Sequence, residues 1–271
     1  MPLKQIVYDR LPSLIKPVAK QTYQNIAEYN QIPDDELHST FVNEVFDSNQ
    51  EYKKYMTEFN QGSAVSLRNK ALEEYQRMTG ETNMYGVSLD VSRDYYAVTR
   101  KLKPNVVIET GVCNGISTLA ILLAIQKNGS GQLYSIDYPF RADESLEEFR
   151  QETFQDYGGA AIPSNKNPGW IIPDQLRSQW NLIIGKSQRE LPKLIIELKS
   201  VELFIHDSEH SHPCMMFEYE IAYEWLETPG MILSDDITWN NAFDIFTKIR
   251  EPEYGRLSKN VGYISKTNEY N

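Results

Sequence analysis

The segment Val106-Val107-Ile108-Glu109-Thr110-Gly111-Val112-Cys113-Asn114-Gly115-Ile116-Ser117-Thr118 constrains the fold of this chain more than any other. An apolar, β-branched run ends in an acid, two glycines follow, and a helix-like run starts by Ser117. That order predicts a buried parallel strand, a tight turn and a helix. Gly111 can take positive φ in the turn, and Gly115 lets backbone approach a ligand or the next element. The helix N-terminus at the turn offers free N–H groups to an anionic group. The spacing is Glu-x-Gly-x-x-x-Gly-x-Ser, not the Gly-x-Gly-x-x-Gly of nicotinamide enzymes. No Gly-Lys-Ser/Thr follows, so it is not a P-loop.

From Lys103 onward the chain alternates between strand and helix patterns. Strands are expected at Val106–Glu109, Gln132–Asp137, Asn181–Gly185, Leu203–Asp207 and Met231–Asp235. Helices are expected at Ile116–Lys127, Gln188–Leu198, His212–Leu226 and Asn241–Ile249, with a final strand pair near Arg256–Leu257 and Gly262–Ser265. This order predicts an α/β fold with a doubly wound, mostly parallel, seven-stranded sheet. Ahead of it, Pro17–Tyr29, Asp34–Phe46, Ser66–Met78 and Ser88–Leu102 look helical, with Asp34 and Ser88 as N-caps and a break at Gln61-Gly62-Ser63. The division is therefore a helical extension over 1–84, serving as substrate cap or oligomer contact, and a main domain over 85–271. The irregular stretch between Tyr138 and Trp180 contains Tyr157-Gly158-Gly159 and Gly169-Trp170-Ile171-Ile172-Pro173; it reads either as a lid or as a helix and surface loop.

Composition narrows the function classes. The net charge of -11 argues against nucleic acid as the main partner, because phosphate binding wants a basic surface. No apolar run approaches the roughly 20 residues of a membrane span, and the N-terminus lacks a signal-peptide core. Two cysteines, Cys113 and Cys214, cannot build a disulfide framework, so a cytoplasmic protein is expected, with both thiols as packing residues.

In doubly wound sheets ligands bind beyond the carboxyl ends of the strands, and the unusual residues cluster there. Asp137 ends the second strand, where an acid can accept two ribose hydroxyls; a helix cap or strand-end acid is the alternative. Gly185 and Ser187 follow the third strand and could reach a purine edge, or Ser187 could simply cap the next helix. Two further strands stop abruptly in acids: His206-Asp207-Ser208-Glu209-His210 and Ser234-Asp235-Asp236. If those strands are neighbours, Asp207, Asp235 and Asp236 converge, and carboxylates so placed need a cation or protons between them. Mg²⁺ or another divalent cation prefers such oxygen ligands and would activate a bound hydroxyl. His210, three residues past Asp207, suits a general base. Helix capping by Asp235 or Asp236 and a packed or solvent His210 are the structural alternatives. His206 should point to the opposite face from Asp207, and Glu218 and Glu220 should belong to the following helix.

Taken together, these segments, with Gly169 to Pro173, Phe217-Glu218 and Ile237-Thr238-Trp239-Asn240, resemble class I S-adenosylmethionine (SAM) dependent methyltransferases over about Tyr85 to Lys266. Within that class the likeness is to metal-dependent small-molecule O-methyltransferases of the macrolide-sugar and cephalosporin-pathway type. The resemblance implies Glu109, Gly111 and Ser117 at the methionine end of SAM, with Cys113 and Gly115 also cofactor-binding. Asp137 would meet the ribose, Gly185 and Ser187 the adenine, and Asp207 would touch the cofactor as well as the metal. Asp207, Asp235 and Asp236 would hold Mg²⁺, and His210 would take the proton. The implied partner is a small hydroxylated metabolite of secondary metabolism (a sugar or polyketide), and the chain would form a homo-oligomer. The rival readings are a non-catalytic module binding SAM or its demethylated product, a metal-independent methyltransferase, and a nicotinamide enzyme.

Overall fold

The computed structural model describes residues 33–141, 145, 147 and 161–266. The expected helix Pro17–Tyr29 and the segment Tyr157-Gly158-Gly159 lie outside them. Among the described residues four helices come first: α1 (Asp34–Val45), α2 (Asn49–Gln61), α3 (Ala64–Thr79) and α4 (Leu89–Leu102). There follow β1 (Val106–Thr110), α5 (Ile116–Asn128), β2 (Gln132–Asp137) and the short strands β3 (Phe140–Arg141) and β4 (Ala161–Ile162). A 3₁₀ turn, Asp174–Gln179, leads into β5 (Trp180–Ile184), α6 (Ser187–Leu198), β6 (Val201–His206) and α7 (His212–Trp225). The chain closes with β7 (Leu226–Ser234), α8 (Ala242–Arg250), β8 (Glu253–Arg256) and β9 (Gly262–Lys266).

Seven strands form one sheet in the order β5-β2-β1-β6-β7-β9-β8. The first five run parallel, and β9 lies antiparallel between β7 and β8. The chain steps outward from β1 to β2 and β5, then returns to place β6 on the other side of β1. That reversal is the switch point at which such sheets bind ligands.

Strand alternation divides the core. Val107, Leu203, Ile205, Met231 and Leu233 face one side with α4, α5 and the N-terminal helices. Ile108, Phe204, Ile232 and Ile264 face the other with α6, α7 and α8. Each fully buried side chain of this kind contributes roughly 1.5–3 kcal/mol. Helix α5 is apolar around most of its circumference, with Ile116, Leu119, Ile121, Leu122 and Ile125 all buried. Such a helix needs cover on both sides; the sheet supplies one, and residues of the N-terminal helices such as Phe59, Ala71 and Tyr75 join the same cluster.

Several expectations need correction. Helix α2 was not expected, although Tyr52, Tyr55, Met56 and Phe59 fall at helical spacing and Ser48 accepts the Glu51 N–H as its N-cap. Asp34 does not cap α1; Pro33 holds that position, and Asp34 Oδ1 accepts the Lys259 N–H at 2.8 Å. Ser88 does cap α4, accepting from Val91 N–H. Strand β7 begins at Leu226, well before Met231.

Candidate functional site

The parallel register brings the strand ends into one row. Thr110 pairs with Ile136 on one side and His206 on the other, and His206 pairs with Ser234. Backbone bonds extend the row past the strands: Gly111 N–H donates to Ile136 O at 2.9 Å, Asp207 N–H to Thr110 O at 2.8 Å, and Asp235 N–H to His206 O at 2.9 Å. Gly111, Asp207 and Asp235 therefore stand side by side on adjacent strands, which lie roughly 4.8 Å apart.

The glycine turn has the shape the sequence predicts. Gly111 has φ +86° and Gly115 φ +98°. The closest approach occurs at Gly111, where an added Cβ would lie 1.9 Å from the Asp207 carbonyl oxygen. Asp137 holds the turn: its Oδ2 accepts the N–H groups of Val112 and Cys113, both at 2.7 Å. Burial pushes the Asp137 carboxyl up, and those two donors and Arg141 oppose the shift. The segment after Pro168 packs onto the same turn. Gly169 N–H donates to Cys113 O at 2.9 Å, Trp170 Nε1–H donates to Asn114 Oδ1 at 2.6 Å, and Ile171 and Ile172 are buried. This part of the irregular stretch is a core-packed cover. A cavity of about 530 Å³ opens beside it, among Tyr75, Met78, Tyr85, Phe140 and Ile162. A larger one, about 780 Å³, lies at the opposite end of the sheet and contains none of these residues.

Glu109 is turned inward. Alternation sends it to the α5 face, where it accepts hydrogen bonds from Ser117 Oγ at 2.7 Å, Thr118 Oγ1 at 2.8 Å and Ser135 Oγ at 2.7 Å. Burial raises its carboxyl to about 7 against the pull of those hydroxyls. Ser117, expected at the methionine carboxylate, directs its hydroxyl to Glu109. Gly185 N–H donates to Asp137 O at 2.9 Å. Ser187 begins α6 behind Lys186, which is the N-cap, and its hydroxyl faces Cys214 Sγ at 3.7 Å and Glu218. Burial pushes the thiols of Cys113 and Cys214 up, which keeps them protonated near neutral pH.

The acids converge on His210. Its Nε2 lies 3.7 Å from Asp207 Oδ1 and 3.6 Å from Asp236 Oδ2. Asp207 and Asp235 share a hydrogen bond. Burial first, then Asp235 and Glu109, push Asp207 well above the usual carboxylate range. Burial and then Asp236 raise Asp235 to about 6, and burial raises Asp236. Burial and the neighbouring His206 push His210 down to about 3. The anionic forms of the two facing carboxylates would draw it back up. The donor chemistry, three carboxylates that resist ionising together, fits a hard divalent cation. Their spacing does not make a finished ligand shell, since no group of three or more His, Cys, Asp or Glu among the described residues is arranged to hold a metal ion.

Sequence reasoning assigned Glu218 only to its helix. It is buried, and it gathers Thr110 Oγ1 at 2.6 Å, Ser208 Oγ at 2.7 Å and His206 Nδ1 at 2.7 Å. The network ties β1, β6 and α7 together behind the acids. His206 points away from Asp207, as alternation requires, and its ring meets His210 edge-on at 5.3 Å. The signal was present: Glu218 is a lone charge among Cys214, Met215, Tyr219 and Ala222, the buried stripe of α7.

Residues 108–237 match the family model described as a methyltransferase domain. The chain has the Rossmann-like methyltransferase fold. Solved structures share its fold. The O-methyltransferase NovP aligns at 13% identity and TM-score 0.52, over 72% of this chain and 88% of that one. A Staphylococcus aureus protein proposed to be a caffeoyl-CoA O-methyltransferase aligns at 12% identity and TM-score 0.51, over 80% and 99%. A Podospora anserina methyltransferase bound to S-adenosylhomocysteine aligns at 12% and 0.50, over 82% and 97%. None of the curated proteins matches the chain. Among the described residues, no helix is long and apolar enough to cross a membrane.

Proposed function

We propose that this methyltransferase moves a methyl group from SAM to a hydroxyl of a small metabolite, with a divalent cation and His210 assisting. The observation that supports it is the meeting of Asp207, Asp236 and His210 within 3.7 Å, one strand away from the glycine turn. SAM would lie along the Gly111–Gly115 turn, with its ribose towards Asp137 and its adenine towards Gly185 and Ser187. A cation held by Asp207, Asp235 and Asp236 would supply Lewis acidity and a fixed position for the acceptor oxygen.

The chain's own residues do the rest. Burial favours the neutral imidazole of His210, and the anionic forms of Asp207 and Asp236 facing Nε2 would supply the basicity it needs to take the acceptor's proton. The new bond forms between the methyl carbon and that oxygen while the carbon–sulfur bond breaks. Gly169 to Ile172, packed against Cys113 and Asn114, hold the turn in shape. Helices α1–α3 are assigned to capping the acceptor and to contacts within a homo-oligomer, and a sugar or polyketide of secondary metabolism is the acceptor class. The incomplete ligand geometry favours a second reading, a metal-independent methyltransferase.

Label transfer from methyl-labelled SAM to a library of hydroxylated compounds tests both. The proposal expects transfer that EDTA abolishes and Mg²⁺ restores. Transfer undiminished in EDTA supports the second reading, and SAM binding with no transfer leaves a cofactor-holding module.

A further inference from the structure

A tyrosine beneath the acids has no part in the chemistry above. Tyr95 lies on α4, which packs on β6 and β7. It is fully buried, in the cluster that holds Leu203, Ile205, Met231 and Leu233. Asp207 and Asp235 continue the backbone bonding of β6 and β7. Each stands two residues past a member of that cluster, so alternation carries both to the face that Tyr95 occupies. Among the described residues the Tyr95 hydroxyl has no hydrogen-bond partner. Leaving a buried hydroxyl unpaired costs the full desolvation of that group, and phenylalanine would fill the same space without that cost. Burial, then the charges of Asp235, Asp207, Glu109 and Asp94, raise the hydroxyl well above the ordinary tyrosine range. It therefore stays protonated and able to donate. Two of those four acids are engaged elsewhere. Glu109 holds the hydroxyls of Ser117, Thr118 and Ser135. Asp94 accepts from Tyr52 Oη at 2.7 Å and faces His38 Nε2 at 3.0 Å. Asp235, whose charge acts on the hydroxyl most, is turned to Asp207 and shares a hydrogen bond with it.

We propose that Tyr95 is a positioning residue for the cation: its hydroxyl donates to the Asp235 carboxylate once a divalent cation replaces the Asp207–Asp235 hydrogen bond. The inference rests on the cation-assisted reading of the site. A hydrogen bond to a ligating carboxylate fixes its orientation, and losing such a partner weakens metal binding by about 10–100-fold. Tyr95 supplies that bond from the protein side, out of the packed face between α4 and the sheet. It acts through Asp235 and not on the reacting atoms. The unpaired hydroxyl of the ligand-free protein is the cost of having the donor already in place.

The test compares wild type with Tyr95→Phe, and with Tyr219→Phe as the control. Tyr219 is just as buried, but its hydroxyl has a partner, Ser234 Oγ at 2.6 Å. Mn²⁺ affinity comes from a paramagnetic resonance titration with SAM present, SAM affinity from calorimetry without metal, and folding from urea midpoints of the ligand-free protein. Tyr95→Phe is expected to weaken Mn²⁺ binding about tenfold, to leave SAM affinity unchanged, and to keep or raise the urea midpoint, because it removes an unpaired hydroxyl. Tyr219→Phe should do the reverse, lowering the midpoint with Mn²⁺ affinity unchanged. Mn²⁺ affinity in Tyr95→Phe equal to wild type overturns the positioning role while cation binding stands, whatever the midpoint does. A loss in Tyr95→Phe confined to SAM affinity puts the hydroxyl on the cofactor and also overturns it. Wild type that takes up no Mn²⁺ overturns the cation-assisted reading, and the positioning role falls with it.

Discussion

Replacing Gly111 by alanine isolates the contact that joins the cofactor turn to the acid cluster. Two effects act there. Gly111 has φ +86°, and a residue with a Cβ pays roughly 1–2 kcal/mol in the left-handed region. In addition, the new methyl would lie 1.9 Å from Asp207 O, and that backbone must withdraw to at least 3.0 Å. Overpacking of this kind adds about 1–3 kcal/mol. Gly129 provides the control, because its φ is +80° and nothing lies within 4 Å of an added Cβ. The reduced freedom of the unfolded chain is common to both substitutions and cancels. Gly129→Ala should therefore lower stability by about 1 kcal/mol, and Gly111→Ala by about 2–4 kcal/mol, read from urea midpoints at constant slope. Gly111→Ala should also lose SAM affinity, because displacing the Asp207 carbonyl breaks the row made by Asp207 N–H and Thr110 O. Equal stability losses in the two variants, with SAM affinity intact in both, would refute the close packing assigned to this turn.

Three other outcomes follow from the site. His210→Ala should keep SAM affinity in calorimetry and lose most of its turnover; turnover equal to wild type removes His210 from proton transfer. Glu109 gives a pH test in the cofactor-free protein. Burial raises its folded-state carboxyl from 4.5 to about 7, so its stabilising proton is fully present below 4.5 and its contribution is lost as pH rises through 7. Glu109→Gln stays neutral, so its stability relative to wild type should improve by about 3 kcal/mol between pH 4.5 and pH 8; urea midpoints that keep a constant difference across that range contradict the burial. Asp34→Ala should loosen the β8–β9 turn through loss of the Lys259 N–H bond, which hydrogen exchange at Lys259 to Val261 would register.

Much of the sheet could be read from the chain because its parallel strands are buried on both faces and so appear as short apolar runs between turns. The acids at the ends of those runs located the row Asp137, Gly111, Asp207, Asp235. What could not be read were partners set by tertiary packing. Glu109 and Ser117 are eight residues apart, yet nothing in their spacing says that they bond each other. Ser187 faces α7 because α6 packs beside that helix. Helix α2 stayed hidden because its buried stripe is made mostly of tyrosine and phenylalanine among many polar residues. Glu218 was legible as a charge on an apolar stripe, but its three partners come from β1, β6 and the following loop.

The account stands on the shared pocket of Asp207, Asp235 and Asp236 beside the cofactor turn. Crystals grown with SAM and Mn²⁺, measured for anomalous scattering, test it most directly. A manganese peak bounded by those three carboxylates, with the SAM methyl group pointing towards it from the Gly111 turn, is the predicted result. SAM seated on that turn with no metal peak at the carboxylates would contradict the metal-assisted account, and SAM bound elsewhere would contradict the site itself.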